Sequence, residues 1–261
     1  MEKIIKNLSI ILISTLLVLL FIELSLRLIG LGNPIIYEKN LVFGYQPKSN
    51  QTVKRFKNSV VTINNENFRV NNSVPKGENK IYFLGDSVTY GGSYIDDKNI
   101  FSSKTCTILN EGTIRFSCLN AGVNAYGLEN ILNRYNYIFK KDKNSNYIIL
   151  IIPGSFKRNF KQINSLPYFT KDISNYHFRA SLELVMYALD LFRNNIRFQK
   201  INNKENNLSL NLKEKILLDL ALLKKTQNQN SNLKIFISLS NPKNISNYDR
   251  SLENFILVKS K

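Results

Sequence analysis

Four short apolar runs constrain the fold of this chain more than any other feature of its sequence. They are rich in aromatic and β-branched residues and cover residues 80–84, 114–119, 147–152 and 234–239. Runs of this length and composition are typical of buried β-strands. Stretches of helical periodicity separate them, at residues 128–139, 180–192 and 213–225. Because strands that alternate with helices form right-handed β-α-β crossovers, we predict an α/β fold: a three-layer α/β/α sandwich around a parallel sheet.

The N-terminal segment predicts one transmembrane helix. Leu8–Ile22 form an apolar run, and the segment counted from Ile4 to Ile29 has about 26 residues, or about 39 Å of helix at 1.5 Å per residue. Lys3 and Lys6 precede it, so the positive-inside rule places the N-terminus in the cytoplasm and the main domain in the periplasm or outside the cell. A cleaved signal peptide and a buried core helix are the alternatives. Leu24–Gly32 lacks a good small-x-small cleavage site, so we favour an uncleaved anchor at residues 1–30.

The rest of the chain divides into two parts by composition. Residues 31–79 are polar and rich in asparagine, with short β-like pieces such as Ser59–Ile63. We interpret them as an extended linker and a small hairpin. The main domain is then expected at residues 80–261.

Net charge says little about partners here. The chain has 36 Lys and Arg residues against 19 Asp and Glu residues, a formal charge of +17. The cations are scattered, and frequent Asn and Ile suggest an A/T-rich coding sequence, so we expect no nucleic-acid partner. A basic surface remains compatible with anionic lipid or acidic glycan.

The cysteines and acidic residues show no metal-site pattern. Cys106 falls in a predicted helix and Cys118 at the end of a predicted strand, so a disulfide and two buried thiols are both compatible with the sequence. Asp96 and Asp97 are expected to form a solvated pair in a loop. No His, Cys or Asp cluster has metal-ligand spacing, and we expect no metal and no cofactor.

Small and polar residues follow the first two predicted strands directly. Gly85-Asp86-Ser87 ends the first, and Asn120-Ala121-Gly122 ends the second. Ligands of open α/β sheets gather beyond these carboxyl ends. A serine at a sharp strand-to-helix turn directs its hydroxyl and its own N–H into the same space, which suits a nucleophile whose intermediate needs an N–H donor. A glycine after the second strand permits close backbone approach and offers a second N–H.

These residues resemble a known family. Phe83–Gly91, followed by Leu119–Gly122, resembles the SGNH, or GDSL-type, hydrolases, in particular their single-pass, membrane-anchored members associated with envelope polysaccharides. Ile63–Arg69 resembles the segment that precedes the first block in such proteins. The resemblance implies a flavodoxin-like sandwich and cofactor-free cleavage of ester bonds.

The resemblance also implies roles for individual residues. Ser87 would be the nucleophile, and its own N–H would be one donor of the oxyanion hole. Gly122 would supply the second N–H. Gly85 and Asp86 would shape the turn.

The chain departs from the family pattern after the third strand. The family places an Asn side chain in the oxyanion hole there, whereas this chain has Phe156 at the matching position. Ser155 or Asn159 is left as a candidate third donor. Loss of one oxyanion donor typically reduces turnover by about 10²–10³-fold.

The larger departure concerns the general base. The family's fourth block is Asp-x-x-His, but the one histidine of the chain, His177, precedes the fourth strand and has no Asp three residues before it. Asp249 is not followed by a histidine either. We therefore expect this block to be absent, the domain to be incomplete at its C-terminus, and the chain to be inactive or nearly so.

Taken together, the residues predict a membrane-anchored serine esterase acting on acyl esters, such as acetyl esters, of envelope glycans or on small esters. A catalytically degenerate domain that binds or scaffolds envelope polysaccharide is an alternative, and a sugar O-acyltransferase is another. Four aromatic residues near the site could line a sugar-stacking cleft or pack in the core: Tyr90, Tyr94, Tyr126 and Phe156.

Overall fold

The structure is a computed structural model that describes residues 2–55, 58–72, 76–160, 179–185, 188–189 and 210–238. Its elements, in chain order, are α1 (Glu2–Leu28), β1 (Tyr37–Asn40), β2 (Gly44–Pro47), β3 (Gln51–Arg55), β4 (Ser59–Ile63), β5 (Asn79–Gly85), α2 (Ser87–Tyr90), α3 (Phe101–Leu109), β6 (Phe116–Asn120), α4 (Leu128–Lys141), β7 (Asn146–Ile151), α5 (Pro153–Lys157), α6 (Leu210–Asn228) and β8 (Leu233–Ile237). A 3₁₀ turn covers Asp97–Asn99.

The centre of the fold is a four-stranded sheet in the order β6-β5-β7-β8. All of its strand pairs are parallel. The observed strand bounds differ from the four predicted runs by no more than two residues at either end. The predicted α/β class and parallel sheet are therefore confirmed.

Helices cover both faces of this sheet. Tyr82 of β5 stacks on Tyr147 of β7, and the Tyr147 ring meets Tyr135 of α4 edge-on, each pair with ring centroids 5.3 Å apart. Phe83, the next residue of β5, instead packs edge-on against Phe101 of α3 at 5.5 Å. Successive side chains of a strand point to opposite faces, so α3 and α4 lie on opposite sides of the sheet. This is the predicted three-layer α/β/α sandwich.

The segment expected to be a linker contributes to the same core. It forms two antiparallel hairpins, β1–β2 and β3–β4. Tyr45, Val61 and Ile63 from these hairpins are buried in one hydrophobic cluster with the sheet. Buried and partly exposed residues alternate along β4. The polar average composition of residues 31–79 therefore does not reveal the apolar face of this strand. The domain boundaries at residues 30 and 79 stay a prediction.

One disulfide ties a helix to the sheet edge. It joins Cys106 of α3 to Cys118 of β6, 12 residues further along the chain. The structure therefore contains the disulfide rather than the two buried thiols that the sequence also allowed. In the chain-entropy model a loop of this length contributes about 3 kcal/mol by restricting the unfolded chain.

Helix α1 contributes no buried residue to the core. Its 27 residues contain an 18-residue window of mean hydropathy 2.5, and none of that window is buried. It is the one helix in the described ranges that is long and apolar enough to cross a membrane.

Candidate functional site

The turn between β5 and α2 is sharp and closely packed. A Cβ atom on Gly85 would lie 2.0 Å from Thr89 Oγ1 and 2.6 Å from the Leu150 carbonyl oxygen, so only glycine fits there. Asp86 is the N-cap of α2, and its Oδ1 accepts the Val88 N–H at 3.0 Å. Both residues therefore make close contacts within the turn, and their role in shaping it for catalysis stays a prediction.

Ser87 begins α2 at the carboxyl edge of the sheet and is half-buried. Neither its hydroxyl nor its backbone N–H donates a hydrogen bond to any other residue that the structure describes. The first N–H groups of a helix have no partner within that helix. An unpaired hydroxyl beside an unpaired N–H is the combination that a nucleophile and its first oxyanion donor require.

The loop after β6 lies directly beside this turn. The Ala121 N–H donates to the Phe83 carbonyl at 2.7 Å, and the Val123 N–H donates to the Gly85 carbonyl at 3.1 Å. These bonds continue the parallel pairing beyond the last residue of β6. Gly122, between the two donors, is therefore brought to the turn that carries Ser87.

Gly122 also meets α2 at close range. A Cβ atom on Gly122 would lie 2.5 Å from the Tyr90 nitrogen and 2.8 Å from Thr89 Cβ. The Gly122 N–H donates to Asn120 Oδ1 at 3.0 Å, and Asn120 Nδ2 in turn donates to the Thr89 carbonyl at 2.7 Å and to Ser102 Oγ at 2.9 Å. An oxyanion would have to compete with Asn120 for this N–H. Its predicted role as the second donor stays a prediction.

Arg158, which follows α5, joins the third loop to the other two. Its Nη1 donates to Asp86 Oδ2 at 2.8 Å and to the Tyr126 carbonyl at 3.0 Å. The Asp86 side chain is 1% exposed and the Arg158 side chain 29%. No sequence motif assigns a role to Arg158. The available signal was the acidic residue on a buried turn, which needs a counter-ion.

The two candidate third donors have different surroundings. Ser155 is fully buried, and its Oγ has no hydrogen-bond partner in the described part of the chain. Asn159 is exposed, and its Oδ1 accepts a hydrogen bond from Lys215 Nζ of α6 at 3.3 Å. Phe156, which has no donor, is fully buried. Ser155 therefore has the unused donor, and its role in the site stays a prediction.

His177, considered as the general base, and Asp249, considered as the Asp of an Asp-x-x-His block, both lie outside the described residues. Within the described ranges, no group of three or more His, Cys, Asp or Glu side chains could hold a metal ion.

Arg69 organises the loop that follows Ser87. The residue is 1% exposed, and its Nε donates to Asp97 Oδ1 at 2.7 Å. Its Nη1 donates to the carbonyls of Tyr90 at 3.0 Å and Gly92 at 2.7 Å, and its Nη2 donates to the Ile95 carbonyl. One guanidinium therefore holds this loop at four points. In the sequence, Arg69 stands out only as the end of the segment that precedes the first motif.

The expectation of a solvated Asp96-Asp97 pair is wrong. Asp97 is 6% exposed, and its Oδ2 accepts the Thr62 N–H at 2.7 Å in addition to the Arg69 bond. Asp96 Oδ2 accepts the Val60 N–H at 3.1 Å. The physical reason is that buried Arg69 needs a counter-ion, and Asp97 provides it. Arg69 lies 28 residues before Asp97 in the sequence, so no local sequence pattern indicates the pair.

The aromatic residues near the site mostly belong to the core. Tyr90, Tyr126 and Phe156 are fully buried, whereas Tyr94 is 67% exposed. Burial raises the pKa of Tyr90 and of Tyr126 to about 12, so both phenols stay neutral near neutral pH. Of the four residues, Tyr94 alone is open to stacking against a ligand.

No family model and no curated protein matches the chain. Several solved structures are similar to this chain at low identity. AlinE4, described as a SGNH-hydrolase family esterase, is 16% identical, with 72% of this chain and 73% of that chain covered and a TM-score of 0.35. Two variants of the same esterase are 14% and 13% identical at the same coverage, each with a TM-score of 0.36.

Proposed function

We propose that this chain is a membrane-anchored serine esterase of the SGNH type, acting on acyl esters, such as acetyl esters, of cell-envelope glycans. The observation that carries the proposal is the state of Ser87. It lies at the carboxyl edge of the inner strand β5, and its hydroxyl and N–H have no partner among the described residues. Ligands of parallel α/β sheets bind at this edge.

The chemistry follows from these groups. Ser87 Oγ attacks the ester carbonyl while a base removes the hydroxyl proton, and the Ser87 N–H stabilises the oxyanion. The alcohol of the glycan leaves with a proton, and water then releases the acyl group from the serine. The Gly122 N–H becomes a second donor if it releases its hydrogen bond to Asn120 Oδ1 and donates to the oxyanion instead. Ser155 Oγ is the candidate for the third donor.

We further propose that this chain by itself is inactive or nearly so. The motivating observation is that the chain has one histidine, His177, which does not fit the Asp-x-x-His pattern. Without a base, a serine hydroxyl is a weak nucleophile at neutral pH. Removing one member of a triad leaves about 10³–10⁴-fold acceleration over water.

The location forms part of the same proposal. Helix α1 supports a single-pass anchor, and Lys3 and Lys6 before its apolar run support a cytoplasmic N-terminus. The main domain is then periplasmic or extracellular. The Cys106–Cys118 disulfide supports an oxidising compartment.

A degenerate domain that binds or scaffolds glycan is the second candidate. Two observations favour it: the Gly122 N–H already serves Asn120, and Phe156 offers no donor where the family has Asn. Together they weaken the expected oxyanion hole.

The test uses the full chain in detergent micelles with p-nitrophenyl acetate and with an acetylated polysaccharide, each with and without imidazole as an external base. We expect little hydrolysis without imidazole and a Ser87-dependent increase with it, above the rate of imidazole alone. Ser87→Ala should remove this increase. Ser93→Ala is the matched control, since Ser93 is a half-buried serine of the neighbouring loop.

The other outcomes are also decisive. Hydrolysis at an ordinary enzyme rate without imidazole, abolished by Ser87→Ala, would contradict the proposed inactivity and support the proposed esterase activity. No Ser87-dependent hydrolysis under either condition would contradict the esterase. Binding of the polysaccharide that Ser87→Ala leaves unchanged would then support the binding domain.

A further inference from the structure

A second helix begins against the C-terminal part of α1. Its described residues are 180–185 and 188–189, and we call it the capped helix. Glu23 of α1 accepts the Ala180 N–H at 2.9 Å through Oε1, and the Ser181 N–H and Oγ at 3.0 Å through Oε2. A carboxylate at this position satisfies the free N–H groups of a helix start and interacts favourably with its dipole.

One face of the capped helix is tied to the main domain. Glu183 is 3% exposed and accepts the Gly32 N–H at 2.6 Å. Arg55 of β3 pairs with the same carboxylate and also donates to the Gly30 carbonyl at 3.1 Å. The capped helix, the end of α1 and the hairpin β3–β4 are therefore joined by buried polar contacts.

The other face of the capped helix is apolar and exposed. Leu182, Val185 and Leu189 are 44%, 53% and 49% exposed. At about 100° per residue these positions fall within about 60° of one another, while Glu183 points well away from them. We call these three residues the apolar stripe.

The position of Glu23 along α1 sets the level at which the capped helix begins. Ile4 to Glu23 spans about 30 Å of helix, the thickness of the hydrocarbon layer of a bilayer. Glu23 therefore falls at the far boundary of that layer when α1 crosses it. Helices that lie on a membrane bury their apolar face by about 5–10 Å at this boundary.

We propose that the apolar stripe is a second membrane contact, lying against the outer surface of the bilayer that α1 crosses. This inference rests on the proposed anchoring by α1. Two contacts joined by Glu23 and Glu183 hold the main domain in one orientation above the lipid. The partner is the lipid surface itself, because the capped helix that carries the stripe begins at Glu23, within the C-terminal part of the apolar helix α1.

The test places an environment-sensitive fluorophore at single positions of the full chain in phospholipid nanodiscs. Both cysteines of the chain are in the disulfide, so an introduced cysteine is the unique labelling site. The variants are Val185→Cys on the stripe, Leu16→Cys within α1, and Leu218→Cys as the matched control. Leu218 is an apolar residue of α6, 73% exposed, outside the stripe.

We expect lipids carrying a shallow doxyl quencher to quench the Val185 label, and lipids carrying a deep one to quench the Leu16 label, with Leu218 unaffected. Quenching at Leu16 with Val185 no more quenched than Leu218 would overturn the second contact and leave the anchor intact. Absence of quenching at Leu16 would overturn the anchor and with it this inference. Leu189→Cys repeats the stripe measurement in case the Val185 label disturbs packing.

Discussion

At the scale of single residues, two ion pairs hold the turn that carries Ser87 and the loop that follows it. Arg69 pairs with Asp97 and binds three carbonyls of the loop after Ser87, and Arg158 pairs with Asp86 inside the turn. A buried pair contributes little net stability, but an unpaired buried charge is costly. These pairs therefore fix the backbone geometry of the turn and the loop, and we expect their disruption to change the position of Ser87.

Asp96 makes the stability of this region depend on pH. Burial alone would raise its pKa, but hydrogen bonds from the Lys98 and Val60 N–H groups prevail and lower it. A carboxyl group with a lowered folded pKa adds stability above its ordinary value of 3.8, and this stability is lost as the pH falls through the folded value. We expect the free energy of unfolding to fall as the pH is lowered below about 5, and to fall less in Asp96→Asn.

Urea unfolding of the full chain in micelles across this range measures the difference. The raised pKa of Asp97 acts in the opposite direction in both proteins, so it largely cancels from the comparison. Equal losses in the two proteins would show that Asp96 does not titrate as described.

At the scale of elements, the site depends on the close approach of α2 and the loop after β6. Gly122→Ala would place a Cβ atom 2.5 Å from the Tyr90 nitrogen, so the backbone must move apart. We expect a loss of about 2 kcal/mol or more, as for other strained or overpacked sites, together with loss of the Ser87-dependent reaction.

Gly112→Ala is the control for this substitution. Its Cβ would meet nothing closer than the Leu109 carbonyl oxygen at 3.6 Å, an ordinary contact. That variant should be neutral or slightly stabilising, by up to about 1 kcal/mol. Equal stability of the two variants in urea unfolding would argue against tight packing at Gly122.

The sequence predicted the elements better than it predicted their contacts. Buried parallel strands and amphipathic helices have strong local periodicity, and Ser87 and Gly122 stand in short motifs at strand ends, so their places in the fold were predicted. The contact of Arg158 was not predicted, because its partner Asp86 lies 72 residues away in the sequence. The Asn120 bond to Gly122 was also missed, since a motif gives residue types and not the direction of an N–H group.

At the scale of the whole molecule, Arg55 and Glu183 hold Gly30 and Gly32, which follow α1, against the main domain. Their side chains are 12% and 4% exposed. Arg55→Ala leaves the Glu183 charge buried without its cation, and we expect a loss of about 3–5 kcal/mol. Lys80→Ala, which removes a pair with Asp142 whose side chains are 41% and 24% exposed, should cost no more than about 1 kcal/mol.

Thermal and urea unfolding of both variants in micelles provide the measurement. A small effect of Arg55→Ala, similar to that of Lys80→Ala, would mean that the contact between α1 and the domain contributes little to the fold.

The most direct test of the central claim is to locate the acyl group that an activated ester leaves on the chain. The full chain is incubated with p-nitrophenyl acetate and imidazole, digested with trypsin and analysed by tandem mass spectrometry, with the urea-unfolded chain as the control for non-specific acylation. We predict acetyl on Ser87 in the peptide Ile81–Lys98 of the folded chain alone, and none on Ser93 of the same peptide. Acetyl spread equally over both serines, or absent from Ser87, would contradict the claim that this turn presents a nucleophile.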